Sequence, residues 1–145
     1  MPTSSALFVD TSGWASYFDQ DDPDHAATSA IIAESIQQQT MLVTTNYILV
    51  EIVTLFSSRR LRIPHADLVT AVTLIKTESG IRIEHIDPAT DEEAWRLVVS
   101  RPDKQWSLVD ATSFVMMRRL GITEALTADH HFEQAGFIRL PGVHR

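Results

Sequence analysis

The sequence predicts an α/β domain built on a mainly parallel sheet of four to five strands, and three observations carry that expectation. Short apolar runs alternate with longer amphipathic ones along the whole chain, the pattern of strands joined by helices. The run Ala6 to Val9 ends on Asp10, and the run Ala125 to Thr127 is followed, after Ala128, by Asp129, so acids stand where the carboxyl ends of parallel strands place ligand sites. The length of 145 residues fits one core, since a domain of that size buries roughly 70% of the surface its unfolded chain exposes. We expect a single domain over residues 1–145, with no internal boundary and no repeat.

The elements follow in order. Ala6 to Val9 reads as a first strand and Thr11 to Phe18 as a short helix; Asp21 to Asp24 turn around Pro23, and His25 to Gln38 form a second helix. Met41 to Thr44 is a second strand. Thr45 or Asn46 can cap an apolar helix, Tyr47 to Ser58, in which Ile48, Ile52 and Leu55 recur at helical spacing. After the basic patch Arg59, Arg60 and Arg62, Pro64 starts a helix to about Thr77, because proline suits the first turn. Gly80 separates it from a third strand, Ile81 to His85, and Asp87-Pro88 opens a helix over Ala89 to Ser100. Ser107 to Asp110 has the spacing of a capped helix start leading into Ala111 to Leu120, which Gly121 ends. Ala125 to Thr127 is a fourth strand, Asp129 to Gln134 a short helix, and Phe137 to Leu140 a last strand.

Composition narrows the chemistry. There is no cysteine, which excludes disulfides and thiolate metal sites and leaves oxygen and imidazole as metal donors. A formal charge of −7 argues against coating nucleic acid by electrostatics alone, because that mode neutralises phosphates with Lys and Arg. It does not oppose a local site, since a cation held by converging acids inverts the sign a phosphate meets. The first residues lack the basic and apolar regions of a signal peptide, and no apolar run approaches the roughly 20 residues that span a bilayer. A cytoplasmic location is the expectation.

Four acids stand out, each with a plain structural alternative. Asp10 and Asp129 follow strands and can face each other if those strands are neighbours; either can instead be a helix cap. Asp110 shares a helix face with the apolar Phe114 and Met117, which turns it inward. It can equally be the acidic member of a capping box begun by Ser107. Glu51 lies inside the most hydrophobic helix, with Thr44, Tyr47 and Thr54 near its face, or else on a solvated stripe.

The segments Phe8-Val9-Asp10-Thr11-Ser12, Asn46 to Phe56 around Glu51, Ser107-Leu108-Val109-Asp110, and Ala125 to Asp129 before His131-Phe132 together resemble the PIN-domain pattern, in family order and over nearly the whole chain. The likeness is greatest to VapC-type toxins of toxin–antitoxin pairs. It implies a three-layer α/β/α fold and an Mg²⁺- or Mn²⁺-dependent endoribonuclease. Asp10, Glu51, Asp110 and Asp129 match the family's acidic quartet, as catalytic groups and metal ligands. Ser12 matches the small hydroxyl residue near the first acid, and Ser107 is a second candidate supporting hydroxyl. Many members carry another acid two residues after the last one, where this chain has His131. The resemblance also implies a short antitoxin partner whose C-terminal segment crosses the active-site groove, and a homodimer.

Four converging carboxylates repel one another, which raises pKa values until a cation relieves the repulsion. Mg²⁺ takes hard oxygen ligands and keeps several waters, so Asp10 and Asp110 are the expected direct ligands, with the others acting through water. Water activated in this way attacks phosphorus in line and leaves 5′-phosphate and 3′-hydroxyl ends. Glu51 and Asp129 both remain candidates for orienting it. Arg59, Arg60 and Arg62 can follow a phosphate backbone, or simply solvate a loop. Trp14 and Trp106 are read first as core aromatics and second as base-stacking surfaces. His130 and His131 are not expected to share a ligand role, because adjacent helix positions diverge. An aspartyl phosphotransferase would carry a second Asp where Ser12 stands, and a proofreading exonuclease would carry Glu there. The remaining alternative is a catalytically silent PIN scaffold that binds RNA or a protein.

Overall fold

The computed structural model describes residues 5–58 and 63–142. Its elements are β1 (Ala6–Val9), α1 (Thr11–Phe18), α2 (His25–Gln37), β2 (Met41–Thr45), α3 (Asn46–Phe56), α4 (His65–Thr77), β3 (Ile81–Glu84), α5 (Pro88–Ser100), α6 (Leu108–Leu120), β4 (Glu124–Leu126), α7 (His131–Gln134) and β5 (Ile138–Leu140). The strands make one five-stranded sheet in the order β3-β2-β1-β4-β5. Every pairing is parallel.

The central strands explain the layers. β1 buries Leu7, Phe8 and Val9 in succession, and β2 buries Leu42 through Thr45. Successive strand residues point to opposite faces, so both faces must be covered. The helices supply that cover, which gives the three-layer α/β/α architecture expected from the sequence. Among the described residues, no helix is long and apolar enough to cross a membrane.

Two helices show how local chemistry fixes what lies at the sheet's end. The Thr45 side chain, and not that of Asn46, caps α3 by accepting the Ile48 N–H at 3.1 Å. Asn46 instead accepts the Ile86 N–H at 2.8 Å, tying α3 to the chain leaving β3. α3 buries Ile48, Ile52 and Phe56 and leaves Val50 and Val53 exposed. α6 is buried continuously from Asp110 to Met117. Phe114 and Met117 enter the main core, while Ala111 and Val115 meet Ala94 of α5, so α6 is covered on two sides. Gly121, at φ +68°, takes the left-handed conformation that ends α6 and lets the Ile122 N–H reach the Met117 carbonyl at 2.9 Å.

Two boundaries differ from the expectation in ways that bear on function. β4 ends at Leu126 and not Thr127, although the Thr127 N–H still donates to the Leu140 carbonyl at 2.9 Å. That frees the Thr127 side chain to turn toward the end of β1. α7 begins at His131 and not Asp129, because the Asp129 carboxylate bends the chain by accepting the His131 N–H at 2.9 Å.

Candidate active site

β1 occupies the point where the chain reverses its direction of travel across the sheet: β2 and β3 lie to one side, β4 and β5 to the other. In an open parallel sheet the crevice beyond the carboxyl ends of the strands at such a point is where ligands bind. Asp10 leaves β1 there, its N–H donating to the Leu126 carbonyl of β4 at 3.1 Å. The adjacency of β1 and β4, which the sequence could not establish, pairs Val9 with Leu126. The first turn of α1 then crosses β4 so closely that a Cβ on Gly13 would sit 2.3 Å from the Leu126 carbonyl oxygen. Glycine is required by this approach.

Asp10 is the most enclosed of the acids, with 5% of its surface exposed. Its Oδ2 accepts the Thr127 hydroxyl at 2.9 Å. Burial pushes its carboxyl up to about 7, with the charges of Asp110 and Glu51 adding to the rise and hydrogen bonds from Thr11 and Thr127 opposing it. Glu51 projects from α3, and its Oε1 accepts the Thr11 hydroxyl at 2.5 Å. Its carboxyl is raised by burial and by the charges of Asp110 and Asp129, and lowered by Thr11.

Asp110 is both things its sequence position allowed. Its Oδ2 accepts the Ser107 N–H at 3.0 Å while the Ser107 hydroxyl accepts the Asp110 N–H at 3.0 Å, a complete capping box. The same oxygen lies 3.1 Å from His131 Nδ1. Burial raises its carboxyl, and the Asp129 charge adds to that, against the Ser107 N–H and His131. Asp129 is held by its N–H, which donates to the Thr127 hydroxyl at 3.0 Å. Its Oδ1 stands 3.2 Å from His131 Nδ1.

The four predicted acids therefore converge, each within electrostatic reach of others. Among the described residues their ion-pair partners are His130 and His131, with no Lys or Arg. Asp10, Glu51 and Asp110, whose carboxyls are raised by burial and by neighbouring acids, stand with Asp129 and, among the described residues, without a Lys or Arg to neutralise them, a donor set suited to a hard divalent ion.

The supporting residues are partly different from those expected. Ser12 lies 3.4 Å from Asp10 Oδ2, a long contact. Its hydroxyl makes shorter ones to Thr127 at 3.0 Å and to the Ala128 N–H at 2.9 Å, so it clips α1 to the loop after β4. Ser107 acts through the capping box. Thr11 and Thr127 were not singled out in the sequence, yet they hold Glu51 and Asp10 directly. The available signal was a hydroxyl residue beside each strand-end acid, in Asp10-Thr11-Ser12 and Thr127-Ala128-Asp129.

Trp14 and Trp106 are core aromatics. Trp14 is buried with its indole N–H on the Thr44 hydroxyl at 3.2 Å, and Trp106 packs edge-on against Phe114 with its N–H on Gln134. His130 and His131 do not diverge as expected. His130 precedes α7, and the two rings lie 4.6 Å apart between centroids. Arg59, Arg60 and Arg62 lie outside the described residues. Apolar clefts occur elsewhere, one beside Ile32, Met41 and Leu74, another along Leu49, Val53 and Ile83; neither includes the carboxylates.

A family profile described as PIN domain matches residues 7–138. The chain is 34% identical over 134 residues to the 23S rRNA-specific endonuclease VapC20 of Mycobacterium tuberculosis, covering 92% of this chain and 97% of that protein. It is 30% identical over 127 residues to the ribonuclease VapC26 of the same organism, covering 87% and 89%. The crystal structure of VapC20, described as a sarcin-ricin loop cleaving toxin, superposes with a TM-score of 0.81 over 92% of this chain and 97% of that one. PAE2754 from Pyrobaculum aerophilum shares the fold, with a TM-score of 0.63 at 18% identity, covering 95% and 91%.

Proposed function

We propose, from the premise that the chain belongs to the PIN-domain family, that it is a divalent-metal-dependent endoribonuclease and the toxin of a toxin–antitoxin pair. The observation that carries this reading is the convergence of Asp10, Glu51, Asp110 and Asp129 at the β1/β4 crevice with histidines as their only ion-pair partners among the described residues. The likeness to VapC20 and VapC26, both nucleases by description, supports an RNA substrate.

Asp10 and Asp110, the two most buried of the four, would hold Mg²⁺ or Mn²⁺ directly, and Glu51 and Asp129 would complete the donor set. The bound ion supplies a Lewis acid that lowers the pKa of water and shields phosphate charge. Glu51 orients the attacking water, because its hydrogen bond from Thr11 fixes one carboxylate oxygen and leaves the other to accept a proton. Asp129 serves as the alternative acceptor. Attack in line leaves 5′-phosphate and 3′-hydroxyl ends. Thr11, Thr127, Ser12 and Ser107 position the carboxylates.

The same reading makes the chain a single PIN domain that acts in the cytoplasm, as a homodimer, and is silenced by a short antitoxin crossing the carboxylate groove. Arg59, Arg60 and Arg62 would contact RNA phosphates. Incubating the protein with RNA, including an rRNA fragment carrying the sarcin-ricin loop, tests the activity directly. Cleavage with Mg²⁺ or Mn²⁺ that stops with EDTA and is absent in Asp10→Asn is expected. Cleavage unaffected by EDTA overturns the metal mechanism, and no cleavage of any RNA by a metal-loaded protein favours the silent scaffold. A small overlapping reading frame upstream, whose product copurifies with the chain, tests the pairing.

A further inference from the structure

We propose that His131 donates a ring nitrogen to the divalent cation of the carboxylate centre, on the side of Asp110 and Asp129, and that this donor turns the site's preference from Mg²⁺ toward Mn²⁺. The inference rests on the metal-dependent reading of the carboxylate centre and adds to it a ligand of another element type.

The geometry is that of a shared coordination sphere. His131 Nδ1 lies 3.1 Å from Asp110 Oδ2 and 3.2 Å from Asp129 Oδ1. Neighbouring ligands of an octahedral ion with bonds of about 2.1 Å stand about 3 Å apart, so these atoms need little displacement to surround one. Asp129, His130 and His131 also bring one ligand atom each within 4.8 Å of one another. Of the two histidines, His131 is the enclosed one, with 19% of its side chain exposed against 69% for His130. His130 Nδ1 stands 3.8 Å from Asp129 Oδ1, and His130 makes no comparable approach to Asp110.

The backbone holds His131 in place independently of its ring. The Asp129 carboxylate accepts the His131 N–H at 2.9 Å, and Phe132, the next residue, is fully buried against Phe8 and Phe114. The first turn of α7 is therefore anchored on both sides of the ring. A ligand so placed loses little freedom on binding.

Imidazole is a softer donor than carboxylate. Imidazole suits Zn²⁺, Fe²⁺ and Ni²⁺ best, and Mn²⁺ shares with Mg²⁺ a preference for carboxylate and water oxygen; of those two, Mn²⁺, a transition ion, tolerates a nitrogen ligand the better. Exchanging an acid for His131 also removes one negative charge from the ligand set, which weakens the attraction for a hard ion most.

Pulsed electron paramagnetic resonance of the Mn²⁺-loaded protein tests this without reference to turnover. We expect a nitrogen hyperfine coupling in the wild type that shifts in frequency when histidine is labelled with the heavy nitrogen isotope, survives in His130→Gln and disappears in His131→Gln. Metal titrations should show tighter binding of Mn²⁺ than Mg²⁺, a loss of about 10-fold or more in Mn²⁺ affinity in His131→Gln, and a narrowed preference in His131→Asp. Bound Mn²⁺ with no nitrogen coupling, or a coupling that follows His130, overturns the proposal. The isotope shift needs no substitution and decides the matter even if a variant misfolds. Cleavage of RNA with Mn²⁺ but no coupling would leave the ribonuclease reading standing and this inference fallen. Coupling without cleavage would do the reverse.

Discussion

From the neighbouring strand's end the Thr127 hydroxyl donates to Asp10 Oδ2 at 2.9 Å, and the Thr127 Oγ1 in turn accepts the Asp129 N–H at 3.0 Å. One buried side chain thus sets the position of two carboxylates. Thr127→Val keeps the shape and removes both links, leaving a buried acid and a backbone N–H short of partners. It should cost about 1–3 kcal/mol of stability and about 10- to 100-fold in metal affinity or activity. Thr127→Ser should retain most of both. Isothermal titration with Mn²⁺ and chemical denaturation of the two variants check this; a loss in Thr127→Ser with Thr127→Val intact would show that the methyl group, not the hydroxyl, matters.

Asp10 supplies a pH signature in the metal-free protein. Its carboxyl rises from an ordinary 3.8 to about 7 on folding, chiefly through burial. A raised acid favours the fold while it is protonated, so its contribution is fully present below the ordinary value and is lost as pH climbs through about 7. Asp10→Asn removes that dependence. The variant should match the wild type in acid and exceed it above neutral pH, by on the order of a few kcal/mol at most. Denaturation with EDTA across the pH range measures the difference, and a constant gap between the two proteins would contradict it.

Adding metal should reverse that ranking. An ion bound only by the native wild type stabilises it by RT ln(1 + [L]/Kd) and so raises its melting temperature, and Asp10→Asn should lose most of the gain. Differential scanning calorimetry with and without millimolar Mn²⁺ reads this out. A wild type that melts at one temperature in both would argue against a metal centre.

Asp110 combines two roles that pull in opposite directions. Asp110→Asn can still accept the Ser107 N–H, but gives up a favourable charge in the first turn of α6, worth about 0.3–1 kcal/mol. It also relieves a desolvated carboxylate that its neighbours raise. We expect apo stability close to the wild type with cleavage abolished, whereas Asp110→Ala, which removes the cap as well, should be destabilised by about 1 kcal/mol or more. Thermal melts of both variants distinguish the two roles.

Gly13→Ala should harm both fold and activity. Its Cβ would meet the Leu126 carbonyl at 2.3 Å, forcing the first turn of α1 off β4 at a cost of about 1–3 kcal/mol. Thr11 and Ser12 ride on that turn. A lowered melting temperature with weakened metal binding is expected, and an unchanged protein would mean that α1 can shift without disturbing Thr11 or Ser12.

The sequence made the frame legible because its signals were local. β1 and α1 carry the predicted bounds, and the four acids were visible as polar residues at strand ends or on apolar helix faces. What it left open depends on pairing across long separations. Nothing in a single chain places β1 beside β4, and only that adjacency lets Thr127 reach Asp10. Thr127 was read as the last residue of a strand, where its side chain would have been one more core position. The histidines were misread for a related reason: an assumed helix start at Asp129 put both inside α7, where ring directions would diverge, whereas the Asp129 turn delays the helix to His131.

The sheet order also sets when the centre comes into being. Thr127 and Asp10 are 117 residues apart, so a chain emerging from the ribosome at about 5–20 residues per second has exposed its first acid for on the order of ten seconds before β4 arrives to complete the crevice. Until then neither Asp129 nor the hydroxyl that steadies Asp10 is in place. A centre completed by the last strands is therefore absent through most of the chain's synthesis.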